Sequence, residues 1–358
     1  WTPSTARATT VSRSKPKRSR KGASAGDGFP ALMRQATHKH WEMHMIGQLK
    51  DEVRLLVQDY LSDPLSGRGI KALREQGRLH EAACAWAALA LRGQRVLLTG
   101  QQAKLDLAAD HAEGKWVNVG LTLAPAGEAS WAFAGRFTMC PKASPGCMRT
   151  CVGNRGQGRA KKDGGAMDHG YVARCGRTIA LAFDRPRFKQ LLESEVRRAA
   201  YDAAYDGAKL AVRPDVASDE QRLAAFLASL RGKFDNITVP VATIYGYTAD
   251  PECLEWDDGV HRILSRKENN DADVMAALAS GHSVAVVFDA KKGALPTRWR
   301  GYPVIDGDVH DLWFLRLDGP TVVGLSLKGR RLEKAMARAK GFAVAPETNN
   351  NPTAEAVA

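Results

Sequence analysis

Cys140, Cys147 and Cys151 fall in the twelve-residue stretch CPKASPGCMRTC, which holds three of the chain's six cysteines. Deprotonated sulfur is a soft donor, so three thiolates on one loop suit zinc or an iron–sulfur cluster. Pro141, Pro145 and Gly146 interrupt regular structure and let the loop fold around a centre. Such a set needs a fourth partner. A structural zinc takes a fourth protein ligand, for which Cys175 and His169 are the nearest candidates. A four-iron cluster on three cysteines leaves one iron open, the arrangement through which radical S-adenosylmethionine enzymes bind their cosubstrate. Their usual spacing is C-x3-C-x2-C, whereas this one is C-x6-C-x3-C. An iron–sulfur cluster or zinc is therefore the expected cofactor, with S-adenosylmethionine as a candidate cosubstrate.

Two further constellations can carry chemistry. The loop GNRGQGRAKKDGGAMDHG follows the cysteines and combines six glycines with Arg155, Arg159, Lys161 and Lys162. Glycines such as Gly156 and Gly158 let backbone N–H groups converge on an anion while the cations attract it, as a nucleotide or polynucleotide site requires. The pattern matches neither the Walker nor the Rossmann fingerprint, and a solvated surface loop is the competing reading. In VIDGDVHD, Asp306, Asp308, His310 and Asp311 directly follow an apolar run. At the carboxyl end of a strand this group can bind a divalent ion or do acid–base work; otherwise it is a turn built from Asp and Gly. LSRKENN (264–270) and YGYT (245–248) also end apolar runs and can line the same mouth. His40 and His44 share a helix face but lack the His-Glu-x-x-His order of zinc proteases, so they read, with His38, as surface histidines. Cys84 and Cys253 read as structural.

The elements that would position these groups are legible in the hydrophobic pattern. VNVGLTL alternates as a strand with two different faces, and AKLAV, VPVATIYGY, VHRIL, SVAVVF, YPVI and TVVGLSL add six candidate strands. DEQRLAAFLASLRGKF and NNDADVMAALASG lie between them with helical spacing, as does the segment after FDRPRF with Phe188, Leu191, Leu192 and Val196 on one face. Strands alternating with helices argue for parallel βαβ units, and a run such as VAVVF suits a strand buried on both faces. Only thirteen residues separate Phe288 from Tyr302, too few for a full crossover helix. The expectation is an α/β fold: an irregular or incomplete (β/α) barrel-like domain over 113–345. A mostly helical region, 29–112, precedes it, and helical spacing of Met45, Ile46, Leu49, Val53, Leu56 and Val57 opens that region.

The formal charge of +13 favours a polyanionic partner, most often nucleic acid. About half of it belongs to residues 1–28, which carry seven basic residues before any acid. That composition buries too little apolar surface to order itself, so 1–28 reads as a disordered basic tail and 346–358 as a polar one. No stretch approaches the apolar length of a membrane span, and the N-terminus lacks a signal-type apolar core. A cytoplasmic, reducing setting is the resulting expectation. There, clustered cysteines bind metal or do redox work more often than they pair.

Taken together, NVGLTLAP, CPKASPGCMRTCVGNRGQG, ARCGRT, FDRPRF, LSRKENN, GHSVAVVFD, LPTRW, GYPVIDGDVHDLWF and VVGLSLKG resemble the phage- and plasmid-borne family founded on "gene product eighty-eight", over about residues 115–345. The resemblance implies a mobile-element origin and a shared cysteine site, not a known reaction. Two readings of function remain. One is a cluster-dependent enzyme acting on a nucleic acid or nucleotide, with Asp306, Asp308, His310 and Asp311 binding or deprotonating substrate. The other is a DNA- or RNA-binding accessory factor in which zinc staples the loop and the basic arm supplies affinity.

Overall fold

Seven parallel strands run side by side in the computed structural model of this chain, and a short antiparallel strand ends the sheet on each side. The structure describes residues 47–100, 114–151, 169–230, 242–328 and 331–346, all within one unit spanning 44–358. The strands are β1 Leu98–Thr99, β2 Trp116–Leu121, β3 Lys209–Arg213, β4 Thr243–Thr248, β5 His261–Ser265, β6 Val284–Phe288, β7 Arg298–Trp299, β8 Tyr302–Asp306 and β9 Val322–Ser326. Their order is β1-β2-β3-β4-β5-β6-β9-β8-β7. The helices are α1 Asp51–Ser62, α2 Gly67–Glu75, α3 Leu79–Leu91, α4 Pro145–Thr150, α5 His169–Phe183, α6 Arg185–Tyr205, α7 Gln221–Ala228, α8 Asp271–Ala279 and α9 Arg331–Ala339.

Side-chain alternation along each strand sends one set of residues to each face. Leu210, Val212 and Ile244 join the helical side, in one core with Trp86 of α3, Ile179 of α5 and Phe188 of α6. Ala82 to Leu91 of α3 are all buried, which explains an alanine-rich run too apolar for a surface helix. Gly176 allows α3 and α5 to approach closely: a methyl group there would sit 2.6 Å from the Trp86 ring. The opposite face collects Trp116, Ala211, Tyr245, Ile263, Ala285 and Val323 around Leu312 and Trp313. Those two come from the β8–β9 crossover, whose short 3-10 turn Trp313–Arg316 fills this face.

The expected mixed α/β fold is present, but the irregular or incomplete barrel is not. The sheet is open, bounded by β1 and β7. The short link after β6 explains part of the irregularity. It holds the β7–β8 turn and no helix among the described residues, so β8 does not pair with β6; β9 lies between them. The two-residue strands β1 and β7 were not expected, being too short to show a period. Residue 49 forms an isolated bridge to Phe133, and the first described helix begins at Asp51. The basic tail, His38, His40, His44, residues 239–241 of one expected strand and most of the C-terminal tail lie outside the described residues. No helix among the described residues is long and apolar enough to cross a membrane.

Candidate active site at the carboxyl ends of the strands

Because seven strands are parallel, their carboxyl ends share one edge, and a cavity of about 500 Å³ opens there. Cys140, Cys147 and Cys151 line it together with Arg213 at the end of β3 and Asp215 beyond it, Tyr247 and Thr248 of β4, Ser265 to Lys267 from the end of β5, and Ser326 to Lys328 from the end of β9. The six cysteines, all described, form no disulfide. Cys140 lies within electrostatic reach of Cys151 and Cys147, and burial pushes its thiol up to about 12. Its sulfur accepts a hydrogen bond from the Ala126 N–H at 3.3 Å. Among the described residues no three His, Cys, Asp or Glu side chains converge on one point closely enough to chelate an ion.

The cysteine loop is anchored by one carboxylate. Glu268, just beyond β5, accepts hydrogen bonds from Ser144 Oγ at 2.6 Å and from the Gly146 N–H at 2.5 Å. Ser144 in turn caps α4 by accepting from the Cys147 N–H at 3.1 Å. Burial alone would raise the Glu268 carboxyl, but the bonds from Ser144 and Gly146 outweigh it and hold it below the usual range. Gly146 is required for this fit, since a methyl group there would lie 2.6 to 2.8 Å from the Glu268 carboxylate. The neighbouring Arg266 pairs with Asp271 at 2.8 Å and donates to the carbonyl oxygens of Gly341 and Phe342, which brings Phe342 to the cavity wall.

Under the cavity lies a buried polar network. Arg213 reaches Asp215 at 3.2 Å and Asp311 at 2.8 Å, and its guanidinium lies 4.4 Å from the centre of the Tyr247 ring. Asp215 also accepts from the Tyr247 N–H at 2.6 Å, while Asp311 accepts from the Tyr245 hydroxyl at 3.0 Å. Asp219 is tied to Gln221 at 2.8 Å and to the Ala249 N–H at 2.9 Å. Burial raises the carboxyl of Asp215 to about 6 despite Arg213, and raises that of Asp219. Arg213, Tyr245 and Tyr247 stand on β3 and β4, and Asp215, Asp219 and Asp311, from the segments that follow β3 and β8, are tied to them or to neighbouring N–H groups by these bonds.

A family model described as Gene product 88 matches residues 96–345. The chain belongs to the Gene product 88 family. No curated protein and no solved structure matches it. The family match begins at 96, ahead of the motifs near 115, and takes in every strand and the cysteine loop. Helices α1 to α3 precede it in sequence yet pack into the same core as α5.

Within this family member, the sequence-derived candidates separate clearly. Cys140, Cys147 and Cys151 share the cavity wall, and Tyr247, Thr248, Ser265, Arg266 and Lys267 of the two flagged strand ends join them. Of the acidic group after β8, Asp311 lines the cavity. Asp306 instead accepts from the Asp308 N–H at 2.8 Å, and His310 Nδ1 accepts from the Leu312 N–H at 3.1 Å. Asp308 accepts from the Ser326 N–H and pairs with Lys328, each at 2.8 Å; these bonds outweigh burial and hold its carboxyl low. Those three residues fold the β8–β9 crossover. Arg155, Gly156, Gly158 and Arg159 lie outside the described residues. Cys175 is fully buried in the helical core, away from the cavity wall, and His169 opens α5. Sequence reasoning missed Arg213, Asp215, Ser218 and Asp219. Their signal was the polar segment RPDVASD directly after the apolar run AKLAV, the same kind of strand end as LSRKENN.

Proposed function

We propose that this chain is a cluster-dependent enzyme in which Cys140, Cys147 and Cys151 hold an iron–sulfur cluster beside a pocket for a small nucleotide-like substrate. What supports the reading is that three thiols share one cavity wall with the carboxyl ends of four strands, where α/β enzymes gather their reactive groups. The donor set has the right chemistry for such a cluster: three cysteines, one of them already receiving a backbone N–H bond of the kind that tunes cluster sulfurs. The three sulfurs do not converge on one point here and would have to close on the cluster as it binds. No fourth cysteine and no histidine lines the cavity among the described residues, which favours a centre with one open position over a four-ligand structural zinc. When bound, the cluster would supply electron transfer or Lewis-acid chemistry at that position.

The protein's own groups have definable roles. Glu268 and Ser144 hold the loop that carries Cys147. Arg213, clamped by Asp215 and Asp311, holds the Tyr247 ring, and Phe342 adds an apolar face to the wall. The open parallel sheet, filled on one face by Trp313, does the work that a partial barrel would do by bringing successive strand ends to one mouth.

Anaerobic purification followed by iron, acid-labile sulfide and zinc analysis with a visible absorption spectrum, repeated on Cys147→Ala, tests the reading. Iron and sulfide in equal amounts, with a broad visible absorption lost in the variant, is the expected result. Zinc alone, or neither metal in the wild type, overturns it.

A further inference from the structure

The charged groups of the cavity wall are already engaged within the protein. Arg213 is paired with Asp215 and Asp311, Arg266 with Asp271 and two carbonyl oxygens, and Lys328 with Asp308. Asp219 holds Gln221 and the Ala249 N–H, with Lys267 near enough to act on it. A phosphate entering the described part of this wall would meet cations set beside carboxylates, so these residues carry no excess of positive charge for it to use.

Three hydroxyls on the wall differ: Ser218 Oγ, Ser326 Oγ and Tyr247 Oη are shielded from solvent and have no hydrogen-bond partner at bonding distance among the described residues. Ser326 lies close enough to Asp308 to lower its carboxyl, which leaves Ser218 and Tyr247 for a ligand. A shielded hydroxyl left unpaired costs about 1–3 kcal/mol, a cost that a ligand hydroxyl or carbonyl removes. Each can donate and accept, which matches the hydroxyls of a sugar or the edge of a heterocycle. Much of the remaining wall is apolar, including Ala143, Val216, Ala249, Val287, Leu327 and Phe342. At about 500 Å³ the cavity falls in the range that encloses a drug-sized molecule.

We infer that the described wall of the cavity recognises the uncharged nucleoside portion of the substrate, with Ser218 and Tyr247 hydrogen-bonding to it, and lends no affinity to phosphates. The inference rests on the reading of this cavity as the substrate site and narrows the substrate from a nucleic acid or nucleotide to a nucleoside-type molecule. The ring of Tyr247 is held in place for this, because Arg213 covers one face of it and Trp313 meets it edge-on at 6.1 Å.

Isothermal titration of the full chain with the four common nucleosides, their 5′-monophosphates and triphosphates, and a single-stranded oligonucleotide tests this. At least one nucleoside is expected to bind, with no gain from added phosphates. Tyr247→Phe, which keeps the ring and its Arg213 contact, and Ser218→Ala should each weaken binding by about five- to tenfold, one hydrogen bond apiece. Should Ser218→Ala fail to fold, Tyr247→Phe alone decides. Tighter binding of triphosphate or oligonucleotide than of nucleoside, no binding at all, or unchanged affinity in Tyr247→Phe overturns the inference. Iron and sulfide analysis of the same preparation separates the two readings: a loaded protein that ignores nucleosides sinks only this inference, and an unloaded one that binds them sinks only the cluster.

Discussion

Removing the Glu268 carboxylate should release the cysteine loop without unfolding the protein. The loop carrying Cys147 is tied by two hydrogen bonds to an ionised group, from Ser144 Oγ at 2.6 Å and the Gly146 N–H at 2.5 Å. Bonds to charged groups contribute about 1.5–3 kcal/mol each when buried, and partial exposure at this site leaves about half of that, so Glu268→Ala should cost local docking about 1.5–3 kcal/mol. At 1.36 kcal/mol per decade, the opening equilibrium of the loop then rises about 10- to 150-fold. Amide hydrogen exchange over residues 144–150 reads this directly, since the Gly146, Cys147 and Met148 N–H groups are all bonded in the docked loop. Exchange there should accelerate by that factor while α5 keeps its wild-type protection. Glu268→Gln keeps the shape and loses the charge, and should fall between the two. Gly146→Ala, which places a methyl group against the carboxylate, should reproduce the alanine effect and add little to it. Because the Glu268 carboxyl is held below its ordinary 4.5, its contribution is complete above that value and disappears as pH falls through the folded-state value. Wild-type exchange in Glu268→Ala would refute the latch.

Other consequences can be checked by standard measurements. Cys175→Ala should leave iron and sulfide content at the wild-type level and cost about 1 kcal/mol in urea unfolding, since Cys175 is packed in the helical core; loss of metal would make it a ligand after all. Trp313→Ala should destabilise by about 3–5 kcal/mol, because this buried ring packs edge-on against Tyr245, Tyr247 and Phe314 and fills one face of the sheet. Asp215, raised by burial from 3.8 to about 6, holds a proton in the folded state that the unfolded chain has released. Its contribution to stability therefore falls as pH rises between those values, so wild type should lose ground to Asp215→Asn across that window; a constant difference between their urea midpoints would contradict the assignment.

What could be read in the sequence was whatever depends on neighbours along the chain. The run VAVVF is β6, buried on both faces, and AKLAV announces β3 because every second residue faces a different layer. The cysteine spacing and the strand-end segments YGYT and LSRKENN pointed to groups that do line one cavity. The hidden parts depend on pairing across the sheet. Glu268 and Ser144 are 124 residues apart, and nothing local to either tells of the other. The insertion of β9 between β6 and β8 follows from a link too short for a crossover helix, a link that was visible, but the direction of the swap was not. The aspartates after β8 are ambiguous for a related reason. Asp and Gly at a strand end serve a turn as readily as a reaction, and Asp306 and Asp308 bond within the β8–β9 crossover and to the end of β9.

Asp311 shows how the two roles meet in one segment. The crossover that Asp306, Asp308 and His310 shape delivers Asp311 to Arg213, 98 residues earlier in the chain, and Trp313 to the filled face of the sheet. The packing that stabilises that face is thus the packing that orients Arg213, and Arg213 in turn holds the ring of Tyr247. Buried ion pairs of this kind add little net stability, because desolvation offsets most of their attraction. Their worth here lies in position: a guanidinium held from two sides stays against the ring of Tyr247, whose hydroxyl, like that of Ser218, has no hydrogen-bond partner among the described residues. Elsewhere on the wall the thiols hang from a loop secured by one carboxylate. The cavity therefore joins a floor cross-tied by buried ion pairs to a cysteine loop held by one carboxylate, a division that would suit the proposed cluster, loaded once and then meeting many substrates.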